Sequence, residues 1–158
     1  MHGAFPPVRQ GFRGKAFGCA SAYLAGQHRG GVALWLPPGV EADDDQVMPI
    51  LHETASPGIL DDVLPLMAQM GAHHPTEPHW YLPLIGVDPA CQNQGLGAAL
   101  MRPVLEICDL QGQVAYVEST NPRSIGLYER HGFTVLARLQ GGSSPPIFTL
   151  LRRPRQPD

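Results

Sequence analysis

The stretch Val87-Asp88-Pro89-Ala90-Cys91-Gln92-Asn93-Gln94-Gly95-Leu96-Gly97-Ala98 constrains this chain more than any other. It reads as the end of a buried strand, a glycine-containing turn and the first turn of a helix. The helix carries Leu96, Leu100, Val104 and Ile107 as an apolar stripe. The opening N–H groups of a helix have no intrahelical partner, and the helix dipole favours negative charge there. A phosphate or pyrophosphate is the natural guest of such a turn. Gly95 and Gly97 are expected to clear side chains from the path of the phosphates.

Around this stretch the pattern alternates between strands and helices. Residues 31–36 read as a strand closed by Pro37-Pro38-Gly39. Asp43 to Asp45 can cap a helix carrying Val47, Ile50 and Leu51. A second helix has Ile59, Val63, Met67 and Met70 on one face and Gly71 at its end, with the methionines read as core filler. Residues 79–87 form the best strand, apolar on both faces, and Pro83 inside it cannot donate to a ladder. Pro103 is expected to kink the helix that follows the turn. Residues 113–119 are a further strand, Asn121-Pro122 starts another helix, and Gly132 stops it. Residues 133–139 and 147–151 read as a terminal hairpin with a long loop. This order predicts an α/β domain with a mixed sheet over residues 31–153. Residues 1–30 are poorly patterned; Phe12, Ala16, Ala20, Tyr23 and Leu24 give at most a weak helical face.

Composition narrows the function classes. A chain of 158 residues is one domain by length, and a net charge of −3 gives no footprint for nucleic acid or an anionic membrane. No apolar run is long enough to span a bilayer. Gly18 and Tyr23 break the small-residue run that a signal peptide needs. Cys19, Cys91 and Cys108 are odd in number and lack metal-ligand spacing, so no metal site is expected. They read as reduced thiols in a cytoplasmic protein.

Two blocks together resemble the GNAT superfamily of acyl-coenzyme A-dependent N-acyltransferases. One is the Gln92-Asn93-Gln94-Gly95-Leu96-Gly97 turn after a strand ending in Val87-Asp88-Pro89. The other is Asn121 followed by Tyr128-Glu129-Arg130-His131-Gly132-Phe133. Residues 77–82 and 116–123 narrow the resemblance to the branch containing puromycin N-acetyltransferase, over about residues 74–133. The resemblance implies a mostly antiparallel central sheet flanked by helices, with two splayed central strands. Members of the family begin with a strand and helices that wall the acceptor pocket, so this chain reads as shortened at its N-terminus.

By the same resemblance, the co-substrate is acetyl-CoA and the acceptor a small-molecule amine. Gln92, Asn93, Gln94, Gly95, Leu96, Gly97 and Ala98 would cradle the pyrophosphate. The pantetheine arm would pair with backbone at Ile85 and Val87, like an added strand. Asn121 and Ser124 would also touch the cofactor; Asn121 serves equally as a plain helix cap. The Val87 amide would polarise the thioester carbonyl, and Tyr128 would protonate the leaving sulfur. Helix packing is the alternative role for Tyr128. Glu118 shares a strand face with Val114 and Tyr116 and is the first candidate for the base. His79 is the second, against a purely structural role. Cys91 has no base partner and reads as packing. A non-catalytic acyl-CoA-binding or interaction domain is the alternative to an enzyme, and a homodimer could complete a missing wall.

Overall fold

The computed structural model describes residues 18–19, 21–26, 29–41, 49, 52–53 and 55–155. The helix expected after residues 43–45 lies outside this set. Six strands form one sheet: β1 (Ala22–Ala25), β2 (Gly31–Leu36), β3 (His79–Val87), β4 (Val114–Ser119), β5 (Thr134–Leu139) and β6 (Ile147–Arg152). Their spatial order is β1-β2-β3-β4-β6-β5. Only β3 and β4 run parallel; the other pairs are antiparallel. The mixed sheet is therefore mostly antiparallel, as expected. It starts earlier than the pattern suggested. Tyr23 and Leu24 lie in β1, not on a helix, because a glycine-bounded apolar tetrapeptide finds an edge on β2.

Among the described residues three helices cover the sheet: α1 (Pro57–His73), α2 (Leu96–Gln111) and α3 (Ile125–Arg130). Strand alternation assigns their faces. Ala115 and Val117 of β4 join Leu100, Met101, Val104, Tyr128, Phe133 and Leu150 in the main core, under α2 and α3. Tyr116 and Glu118 point the other way, to the face where Leu66 and Met70 of α1 pack on Leu139 and Ile147. Leu66 is the buried residue of α1, while Ile59 is 54% exposed, so the helix turns a narrower stripe inward than its sequence offers. Ser143 of the β5–β6 loop ties α1 down: its N–H and hydroxyl both donate to Asp62, at 3.1 and 2.7 Å. Pro103 lies within a helix that continues to Gln111. The carbonyl freed by its missing N–H belongs to Ala99, which is exposed to water.

The sheet is irregular at Leu82-Pro83. On β2 the step from Leu36 to Leu34 spans two residues; the matching step on β3, from Tyr81 to Leu84, spans three. One extra residue there is a β-bulge. It reverses the side-chain phase of β3. Trp80 and Leu82 face the main core before it, and Ile85 and Val87 face the same core after it. This phase change explains why the strand looked apolar on both faces. The β3–β4 ladder also stops there, with Leu82↔Val117 as its last rung.

Candidate active site

Beyond that rung β3 and β4 part. Asp88 N–H donates to the Gly30 carbonyl at 2.7 Å, one step past the Gly31↔Val87 pair. Hydrogen-bonded and non-hydrogen-bonded pairs alternate along an antiparallel ladder. The backbone N–H and C=O of Val87 and Ile85 therefore point away from β2, into the gap. Gln92 closes part of it by donating its side-chain N–H to the Val87 carbonyl at 3.2 Å.

The turn at the end of β3 is built by three local devices. Asp88 caps a 3₁₀ turn at Pro89–Cys91, accepting from Ala90 N–H at 2.8 Å. Asn93 and Gly95 then take left-handed conformations, φ 60° and 78°. The first intrahelical bond of α2 is Ala99 N–H to the Gly95 carbonyl, so the amides of Leu96, Gly97 and Ala98 open onto the turn. The two glycines have different reasons. Gly95 has open space around its missing Cβ but a φ that side chains resist. A Cβ on Gly97 would lie 3.0 Å from Leu127 Cδ2, so Gly97 lets α3 dock on α2. Clearing a path for phosphates is the expected role of both; the structure adds a packing role for Gly97. Cys91 packs against Gly30, where a Cβ would sit 2.7 Å from its sulfur.

Glu118 and Tyr128 flank the gap from opposite faces of the sheet. Tyr128 is 3% exposed within the main core, edge-on to Phe133 with centroids 5.8 Å apart. Burial raises its hydroxyl to about 12, with the Ser119 side chain pulling weakly the other way, so it is a proton donor at neutral pH. Asn121 accepts from Arg123 N–H at 3.1 Å and caps the 3₁₀ turn Pro122–Ser124 that leads into α3. Ser124 N–H returns to the Asn121 carbonyl at 3.0 Å. Asn121 is exposed and Ser124 half-buried, both at the entrance to α3.

On the other face, an open cleft of about 600 Å³ has Glu118 in its lining, together with His74, Glu77, His79, Tyr81 and Met67. The Glu118 side chain is only 7% exposed. Tyr81 donates to its Oε2 at 2.8 Å and Tyr116 to its Oε1 at 3.0 Å. Burial, and then the Glu118 charge, push the Tyr116 hydroxyl well above its ordinary range, so it stays a donor. His74 Nδ1 lies 3.7 Å from Glu118 Oε1. His79 contacts the Glu77 carbonyl through Nδ1 at 2.7 Å and His74 through Nε2 at 3.0 Å. Among the described residues no group of three His, Cys, Asp or Glu is disposed to hold a metal.

Comparison with known proteins fits this arrangement. Residues 58–133 match the acetyltransferase (GNAT) family. A Corynebacterium glutamicum structure described as histone acetyltransferase HPA2 and related acetyltransferase superposes with a TM-score of 0.54 at 26% identity. The superposition covers 80% of this chain and 59% of that one. These matches are to the acetyltransferase (GNAT) family over just under half of the chain and to the GNAT fold. An uncharacterised N-acetyltransferase of Schizosaccharomyces pombe is 25% identical over 152 residues, covering 78% of this chain and 56% of the relative. Mycothiol acetyltransferase of Beutenbergia cavernae is 37% identical over 75 residues, covering 46% of this chain and 25% of the relative. The chain thus spans about half, or less, of the curated relatives it matches. An agmatine N-acetyltransferase structure, with TM-score 0.54 and 15% identity over 78% of this chain and 70% of that one, shares the fold alone.

The GNAT fold places the residues singled out from sequence in two groups. Ile85 and Val87 lie at the end of β3, and residues 92–98 follow through the turn into the start of α2. Glu118 and His79 meet in the cleft. Sequence reasoning missed His74, Tyr81 and Tyr116 as a cage around Glu118, and took Met67 and Met70 for core. Both methionines line the cleft, and Met70 also packs on the Leu66 cluster. Period-2 alternation did carry part of the signal: Tyr116 and Glu118 share a face, as do His79 and Tyr81. His74, on the α1–β3 connection, carried none.

Proposed function

We propose that this chain is an N-acetyltransferase that moves an acetyl group from acetyl-CoA to a small-molecule primary amine by direct attack. The observation that carries the proposal is the gap between β3 and β4. Backbone of Ile85 and Val87 that does not pair with β2 or β4 faces it, an amide-rich helix start lies at one end, and Glu118 and Tyr128 flank it from opposite faces. The pantetheine arm fits the gap as an added strand on Ile85 and Val87. The pyrophosphate goes to residues 92–98, with Asn121 and Ser124 at the entrance to α3 as further contacts. The Val87 amide polarises the thioester carbonyl.

The amine arrives from the cleft as an ammonium. Its nitrogen gives one proton to Glu118 and attacks the carbonyl carbon; the C–S bond breaks, Tyr128 protonates the sulfur, and the second nitrogen proton returns to the Tyr128 phenolate. The anionic, aromatic cleft suits a cationic acceptor. Residues 77–82 and 116–123 carry the likeness to the puromycin N-acetyltransferase branch, and they include both His79 and Glu118. The three described cysteines are free thiols, in keeping with a reducing, cytoplasmic setting. A homodimer completing the acceptor wall belongs to the same proposal, and an active monomer in gel filtration would remove it.

The test is calorimetric titration with acetyl-CoA, followed by thiol release over a panel of amines. Micromolar binding with turnover is expected, and Tyr128→Phe should lower kcat by about 100-fold or more with binding retained. Well-folded protein that does not bind acetyl-CoA would overturn the proposal.

A further inference from the structure

His74 occupies a position that the reaction above does not use. α1 ends at His73, and His74 leaves it extended, φ −67° and ψ 133°, with its N–H on the Gly71 carbonyl. Its ring is edge-on to His79, Tyr81 and Tyr116, with centroids 4.8, 5.0 and 4.7 Å away. The hydrogens of this cluster follow from its acceptors. The Glu77 carbonyl can only accept, so His79 Nδ1 carries a hydrogen. Burial, foremost, draws His79 below the ordinary imidazole range, and a positive His74 acts in the same direction. With Nδ1 committed to that hydrogen, the uncharged His79 ring offers its Nε2 as a bare acceptor. The 3.0 Å contact between the rings must then be His74 Nε2–H donating to His79 Nε2. This leaves His74 Nδ1 facing Glu118 Oε1 at 3.7 Å. A bare lone pair opposite a carboxylate is repulsive, and one proton between them removes the repulsion.

We propose that Glu118 and His74 share one mobile proton and serve together as the base of the site, with His79 as the positioning residue that orients the His74 ring. This rests on the acetyltransferase reading. The acceptor nitrogen loses two protons overall. One ends on the sulfur through Tyr128. The other passes to Glu118, then to His74 Nδ1, and leaves to solvent from that same nitrogen, on a side chain 35% exposed, so the Nε2–H bond to His79 is kept. The Glu118 carboxylate is thereby regenerated without opening its 7% exposed side chain to water. His79 cannot carry the proton onward, because its outer N–H ends on a carbonyl. Every element around His74 contributes a titratable or charged group. These are Glu118 and Tyr116 from β4, His79 and Tyr81 from β3, and Glu77 and Glu41 from the connections lining the cleft. Arg153 stands 3.7 Å from Glu77 at the rim. His73 on α1 turns its Nδ1 to the Gln69 carbonyl instead.

Two measurements on the full chain test this. Long-range ¹H–¹⁵N spectra at about pH 9, where free imidazole is neutral, should show His79 as the Nδ1–H tautomer and His74 as the Nε2–H tautomer. The opposite tautomer for either ring overturns the proposal, whatever becomes of the acetyltransferase reading. In turnover, His74→Gln should lower kcat by about 10-fold or more, leave KM for acetyl-CoA unchanged and move the acid limb of the pH profile. Added imidazole should restore rate to His74→Gln. If Glu118→Gln abolishes turnover while His74→Gln keeps the wild-type rate and pH profile, the shared proton is refuted and the acetyltransferase reading stands.

Discussion

Asp109→Asn is the most direct test of how the gap is held in shape. Arg152 is 2% exposed on β6. Its Nη1 and Nη2 donate to the two Asp109 oxygens at 2.8 and 2.7 Å, and its Nε donates to the His131 carbonyl at 2.8 Å. His131 ends α3, and its N–H returns to the Tyr128 carbonyl at 2.9 Å. One guanidinium thus joins α2, β6 and the helix that carries Tyr128. Removing one partner of a buried pair costs about 3–5 kcal/mol, because the other charge is left uncompensated. Asp109 is 29% exposed, so water recovers part of this and about 2–3 kcal/mol is expected. That corresponds to a Tm lower by about 5–10 °C for a domain of this size. Urea unfolding followed by the fluorescence of buried Trp35 reads it directly. The pH dependence has a definite sign. The Arg152 hydrogen bonds hold the Asp109 carboxyl below the ordinary carboxylate range. Its contribution is therefore present above the unfolded carboxylate value and lost as pH falls through the lower folded one. The gap between wild type and Asp109→Asn should close in acid. A difference under about 0.5 kcal/mol at neutral pH, within ordinary surface-substitution scatter, would refute the reasoning, and so would a gap that persists unchanged in acid.

Two further expectations follow from the same geometry. Gly95→Ala should cost about 1–2 kcal/mol through its left-handed φ alone and weaken acetyl-CoA binding, whereas Gly97→Leu should displace Leu127 and lower kcat through Tyr128; calorimetry and kinetics on both variants separate the effects. Cys108 is buried and its thiol is pushed up to about 11, first by desolvation, so a thiol reagent should label exposed Cys19 quickly and Cys108 only on unfolding, as timed mass spectrometry would show.

The main elements of the fold were legible because their signals are local. The strand at residues 79–87, the glycine turn and the Asn121-Pro122 start all follow from side-chain period, φ preference and missing donors. β3 even begins and ends where the pattern puts it. β1 was hidden because four residues are too few for periodicity to separate strand from helix. The cage around Glu118 was half visible. Alternation puts Tyr116 beside Glu118, but the parallel register that brings Tyr81 opposite Tyr116 is a long-range fact. His74 was invisible for the same reason: its place depends on where α1 docks. That docking is set by Leu66 and Met70 against Leu139 and Ile147 and by the Asp62–Ser143 contact, partners far from it in the sequence.

Pro83 shows how one local rule can organise a whole site. A proline has no N–H to offer, so β3 cannot continue its parallel ladder with β4 through this position. The bulge at Leu82-Pro83 absorbs the misfit and reverses the phase of the strand. Before it, His79 and Tyr81 face the cleft, and Tyr81 reaches Glu118. After it, Ile85 and Val87 send their side chains into the core under α2 and turn their backbone to the gap. Without the extra residue, the cleft-facing phase of His79 and Tyr81 would continue to Ile85 and Val87. Their side chains would then leave the α2 core, and the strand could not both hold Glu118 and offer an apolar-anchored edge. The gap between the strands, the amide edge beside it and the aromatic grip on Glu118 therefore share one cause, a residue that cannot donate a hydrogen bond at the centre of the sheet.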